Sequence, residues 1–132
     1  MDYQIKFDAK RRLVLLAYQG DLTDSSFLGG FLALSAFAEA NPLEGGVVDT
    51  SNVSAAKISS GTIRRIVDYP AISPGKPRAF AAPQNVVYGM ARMLQMYREM
   101  QGVEMDVCRS RGEALELLAV RSPEFGTVDW RP

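Results

Sequence analysis

Gly46-Val47-Val48-Asp49-Thr50-Ser51-Asn52-Val53-Ser54, followed by Ser59-Ser60-Gly61, is the stretch on which the fold turns. Gly46 to Asp49 predicts a short buried strand, and Thr50 to Lys57 a polar loop. Ser59-Ser60-Gly61 opens a helix that carries Ile63, Ile66 and Val67 and closes at Tyr69-Pro70. A strand, a loop and a helix in that order form half of a parallel crossover unit.

Upstream, Tyr3, Ile5 and Phe7 alternate with Gln4, Lys6 and Asp8, the period of a strand with one buried face. Asp8 to Arg11 reads as a turn, and Leu13 to Tyr18 as a more deeply buried second strand of a hairpin. Thr23 or Asp24 caps a helix running to about Ala40, with Phe27, Phe31, Leu34 and Ala38 at helical spacing and Leu28 and Leu32 beside them. Gly29-Gly30 costs such a helix about 1 kcal/mol per glycine relative to alanine. The expected compensation is a backbone packed closely on a sheet or a second chain. Asn41-Pro42 ends the helix.

Downstream, Ile72 to Lys76 is turn-rich, and Arg78 to Ala82 predicts a strand stopped by Pro83. Asn85 to Gln101 is the clearest helix: Val87, Met90, Ala91 and Leu94 form its core stripe, and Tyr88, Arg92, Gln95 and Glu99 a polar stripe. Met93, Met96 and Met100, with Gly89, lie beside the core stripe, where core filling is the expected role and an adaptable binding surface the alternative. Val103, Met105 and Val107 alternate as a last strand, and Ser110 and Glu113 have capping-box spacing before an Ala-Leu helix. The expectation is a mixed α/β sheet of about five strands, an antiparallel hairpin followed by mostly parallel strands, with about four helices. Residues 1–120 make the domain and 121–132 a C-terminal tail, whose Phe125 and Trp130 are expected to fold back over apolar surface.

The element order, and two phrases, resemble the STAS family of anti-anti-sigma-factor-like domains. Val47 to Ser54 with Ser59-Ser60-Gly61 resembles that family's strand, Asp-x-Ser loop and Ser-Ser-Gly helix start. Val87-Tyr88-Gly89-Met90-Ala91-Arg92-Met93 with Glu113-Ala114-Leu115 is similar to its uncharacterised SpoIIAA-like branch. The resemblance implies a phosphorylatable serine at Ser60. The sequence departs from the family where Lys57-Ile58 precede the serines in place of an acidic residue, and its loop is one residue longer.

Composition narrows the chemistry. The 132 residues carry 15 Lys+Arg and 15 Asp+Glu, so no broad positive field exists to gather nucleic acid. Histidine is absent and Cys108 is the only cysteine, which removes His-based triads, His-ligated metals and any intrachain disulfide. A reactive Cys108 thiol is a minor alternative to a structural one. No catalytic motif, cofactor site or metal site is visible, and the expectation is a cytoplasmic protein without a membrane span that is not an enzyme.

The candidate regulatory edge holds Asp49, Ser51, Asn52, Ser59, Ser60 and Gly61, with Pro83-Gln84-Asn85 beside them. There the carboxyl ends of parallel strands meet helix N-termini that attract anions. The bland alternative makes Ser59 or Ser60 an N-cap and Asp49 a brace for the loop. Tyr88 and Arg92, four apart, are the candidate anion contact, or else Arg92 is solvated beside a carboxylate. The leading functional expectation is a non-catalytic protein-interaction or regulatory module with an unknown partner. The alternative is a binder or sensor of a small apolar or anionic ligand held between helices and sheet, which a solid core would exclude. An enzyme using Asp49 or Arg92 is a third reading, which a deep cleft with converging polar groups would revive. A homodimer is plausible through the first helix, the methionine strip or the tail.

Overall fold

Alternation at Tyr3, Ile5 and Phe7 becomes β1 (Tyr3–Asp8), which pairs antiparallel with β2 (Leu13–Thr23) from Tyr3↔Tyr18 to Asp8↔Leu13. These elements are seen in a computed structural model that describes residues 2–129. They are followed by α1 (Asp24–Ala40), β3 (Gly45–Lys57), α2 (Ser60–Asp68), β4 (Arg78–Ala81), α3 (Asn85–Met100), β5 (Asp106–Cys108), α4 (Arg111–Leu117) and β6 (Gly126–Val128). The sheet order is β5-β4-β3-β2-β1-β6, with β2 to β5 mutually parallel. The protein therefore has an α/β fold built on a six-stranded mixed sheet with four helices.

Two faces follow from the period of two. Val14, Leu16 and Tyr18 point to the side covered by α1, α2 and α3, where the larger core lies. Leu15, Val47, Ala79, Ala81 and Cys108 point to the other side, covered by α4 through Ala114 and by Phe125. Phe125 thus folds back as expected, while Trp130 lies outside the described residues. The sixth strand was not foreseen: it lies in the tail, pairing Val128 with Ile5 and Gly126 with Phe7. Asp8, fully buried at the hairpin, holds that tail by accepting the Glu124 amide at 2.9 Å.

Thr23 caps α1 in a capping box with Ser26. The diglycine has the compensation expected of it: a β-carbon at Gly30 would collide with the Tyr18 ring. Tyr18 is fully buried and donates its hydroxyl to the Phe27 carbonyl at 2.7 Å.

Three expectations are corrected. Thr50 to Lys57 is not a loop, because β3 continues through it beside β2 as a two-stranded ribbon with register shifts near Ala17 and Gly20. Thr50 and Val53 are its buried residues, too sparse a pattern to signal a strand. The strand read from Val103 shrinks to Asp106–Cys108. Met93, Met96 and Met100 do not fill the core: they are exposed, Met100 to 82%. Among the described residues, no helix is long and apolar enough to cross a membrane.

Candidate functional site

At the carboxyl edge, Asp49 faces the α4 side of β3 and is buried. Its Oδ2 accepts from Arg111 Nε at 2.7 Å, and its Oδ1 accepts from the Ser51 amide at 2.9 Å and the Ser51 hydroxyl at 2.6 Å. Thr50, on the opposite face, donates to the Ala81 carbonyl at 2.8 Å. Ser51 and Asn52 are exposed within the strand, Asn52 opposite Gln19. Asp49 therefore acts as a brace that ties the start of α4 to β3.

Ser59 is the N-cap of α2 and accepts the Thr62 amide at 3.2 Å. Its own amide donates to Asp24 Oδ1 at 2.7 Å, and that bond, followed by the Thr62 hydroxyl, lowers the Asp24 pKa. The position an external anion would seek at this helix start is thus filled by a carboxylate of the chain itself. Ser60 is exposed, with Arg64 Nη2 3.4 Å from its hydroxyl, and Gly61 is exposed beside it. Because β3 runs on to Lys57, the path from Asp49 to the serines spans roughly 26 Å of strand at about 3.3 Å per residue. The edge read as one site is two separate groups.

Among the described residues, no hydrogen bond or ring contact joins Tyr88 to Arg92. Arg109, from the segment after β5, stacks on the Tyr88 ring at 3.7 Å and donates to Asn85 Oδ1 at 2.8 Å. Arg92 is exposed and forms no ion pair among the described residues. Gln84, which precedes α3, turns its side chain to the Val53 carbonyl rather than capping the helix. Cys108 is buried, and burial pushes its thiol pKa up, away from reactivity.

The opposite edge of the sheet holds what the motifs did not mark. A cavity of about 120 Å³ lies between the helices and the amino-terminal halves of β2, β3 and β4. Leu16, Phe27, Leu34, Phe80 and Leu94 give it apolar walls, and the turn containing Ile72, Ser73, Lys76 and Pro77 bounds it on one side. Two arginines line it as well. Arg98 is 95% buried, since its relative exposure is 5%. It donates Nη1 to Gln101 Oε1 at 2.8 Å and to the Tyr69 carbonyl at 3.4 Å, and Nη2 to the Ile66 carbonyl at 3.4 Å. Arg78 donates Nη2 to the carbonyls of Ser73 at 2.6 Å and Lys76 at 3.4 Å, and its buried Nε has no hydrogen-bond partner.

Neither guanidinium meets a carboxylate: the ion pairs among the described residues are Arg11–Asp8, Lys76–Glu44 and Arg111–Asp49. Burial lowers both arginine pKa values, and for Arg98 the nearby Arg78 charge adds to the effect. The overlooked signal in the sequence is Arg98 itself, which continues the core stripe Val87, Ala91, Leu94 at helical spacing. An arginine on a buried stripe needs a partner. Comparison with protein-family models, curated proteins and solved structures finds no match for this chain.

Proposed function

We propose that this chain is a non-catalytic binding module that holds a small apolar ligand between its helices and its sheet. The observation that carries this reading is the partly open cavity among Leu16, Phe80 and Leu94, whose volume of about 120 Å³ exceeds that of a single water. Its volume of about 120 Å³ approaches the roughly 150 Å³ of an apolar cavity that accommodates benzene. The absence of histidine and the burial of the one cysteine favour binding over catalysis. A STAS-like placement is supported by the element order and by the Val47–Ser54 and Val87–Met93 phrases.

Native mass spectrometry of gently purified protein, with benzyl alcohol titrated by NMR as a neutral probe, tests the reading. A mass that leaves on denaturation, or saturable shifts at Leu16, Phe80 and Leu94, supports it. A chain that carries no ligand and shows no saturable shifts overturns it.

A second reading, interaction through α3, rests on a separate observation. Val86, Gly89, Met93, Met96 and Met100 form an exposed stripe flanked on one side by Arg92 and Glu99. The partner this stripe fits is a second copy. In an antiparallel pair centred between Gln95 and Met96, each Arg92 faces the other copy's Glu99. Sedimentation should then show a dimer that Arg92→Glu weakens and that Arg92→Glu with Glu99→Arg restores. A wild-type monomer at high micromolar concentration would remove this reading.

A further inference from the structure

The two arginines identify the kind of ligand, an inference that rests on the cavity being a binding site. Burying a guanidinium is costly unless an anion offsets it, and neutral carbonyls offset it only in part. Here Arg98, 95% buried, and the partly buried Arg78 line one apolar cavity, with the buried Arg78 Nε–H unpartnered and, among the described residues, no carboxylate paired with either. The third cation on the lining, Lys76, is already engaged by Glu44 at 2.9 Å.

We propose that the cavity takes a small apolar monocarboxylate, its two oxygens held by Arg78 and Arg98 and its hydrocarbon body against Leu16, Phe80 and Leu94. A carboxylate matches the planar fork of a guanidinium, whose Nε and Nη groups donate in parallel. The small volume limits the body to about the size of a phenyl ring. A phosphate dianion fits less well, since the walls beyond the arginines are apolar and supply few further donors. The Ser73 and Lys76 carbonyls that now hold Arg78 belong to the turn bounding the cavity, so ligand entry and rearrangement of that turn are coupled.

The test is paired titration of the intact chain with benzoate and benzyl alcohol, followed by NMR, in wild type, Arg78→Met and Arg98→Met. Benzoate should bind at least about tenfold more tightly than the neutral alcohol, a difference of about 1.4 kcal/mol. Arg78→Met should bring the two affinities together while leaving benzyl alcohol bound. Arg98 also holds the end of α2, so Arg98→Met is informative only if it folds, and Arg78→Met decides the matter otherwise. Equal affinities in wild type would overturn the carboxylate and leave the cavity reading standing. Binding of neither probe would overturn both. Benzoate shifts confined to Arg92 and Arg109 would overturn the assignment to this cavity.

Discussion

The two ends of the parallel strands handle charge in opposite ways. At the carboxyl end, Asp49 answers Arg111, Asp24 answers the Ser59 amide, and Arg109 rests on Tyr88 and Asn85. At the amino end, Arg78 and Arg98 are held only by neutral oxygens beside an apolar cavity. The motif-like residues are at the first end and the unmet needs at the second. The carboxyl-end cluster satisfies itself from within the chain, whereas the amino-end arginines meet only neutral oxygens, which is why the ligand is proposed there.

The contrast is most easily broken at Asp49. Asp49→Ala removes three hydrogen bonds and leaves Arg111 partly exposed, so water relieves some of the loss. The expected destabilisation is about 2–3 kcal/mol, read from the urea midpoint at constant m-value. A change below about 0.5 kcal/mol, the range of ordinary surface substitutions, would mean that Asp49 is not a brace and is free for another role.

Acid sharpens the contrast, because carboxylates titrate and arginines do not. The amides of Arg11 and Glu124 hold the Asp8 carboxyl down to about 2, below its ordinary 3.8. Since the folded value is the lower one, the contribution of Asp8 is present above pH ~4 and is lost as pH falls toward 2. Protection of the β6 amides against hydrogen exchange, relative to their intrinsic rates, should fall over that window, because Asp8 holds the tail through Glu124. Asp8→Asn should flatten the pH dependence. Asp24, also lowered, should release the Ser59 amide in the same direction.

Most of the architecture was legible because periodicity reports burial. The alternation at Tyr3, Ile5 and Phe7, the capping residues Thr23, Ser59 and Ser110 and the core stripe of α3 all fell where expected. The β2–β3 ribbon was not legible, since a strand half in water with only Val53 and Thr50 buried has no apolar period. β6 was missed because a three-residue edge strand carries too little pattern of its own. The grouping of Asp49 with the serines was not legible for a related reason. Motifs mark local chemistry, but whether a charge is answered depends on residues far apart in the chain: Arg111 reaches Asp49 across 62 positions. The exposure of Met93, Met96 and Met100 was not legible, because an apolar side chain beside a core stripe does not show whether another element covers it.

A smaller effect is expected at Arg109. Arg109→Ala gives up the stack on the half-buried Tyr88 ring and the exposed bond to Asn85, for about 1 kcal/mol. Benzoate affinity should not change, since this arginine lies at the other end of the strands. A loss of benzoate binding in this variant would show that the carboxyl edge, with its helix starts, is the anion site after all.

The smallest stability change, and the most discriminating, is expected at Arg78. Replacing a buried pair-forming charge by an apolar side chain normally costs stability only when the replacement orphans a partner. Among the described residues Arg78 has no carboxylate to orphan: its loss frees two carbonyls of a turn and removes an unpartnered N–H and a charge that repels Arg98. Methionine preserves much of the stem that lies along the cavity wall. Arg78→Met should therefore leave the urea midpoint unchanged within about 0.5 kcal/mol or raise it, while Asp49→Ala lowers it. If Arg78→Met instead costs as much as Asp49→Ala, the arginine is holding the Ser73–Lys76 turn in place, and the difference between the two edges is one of partner type alone.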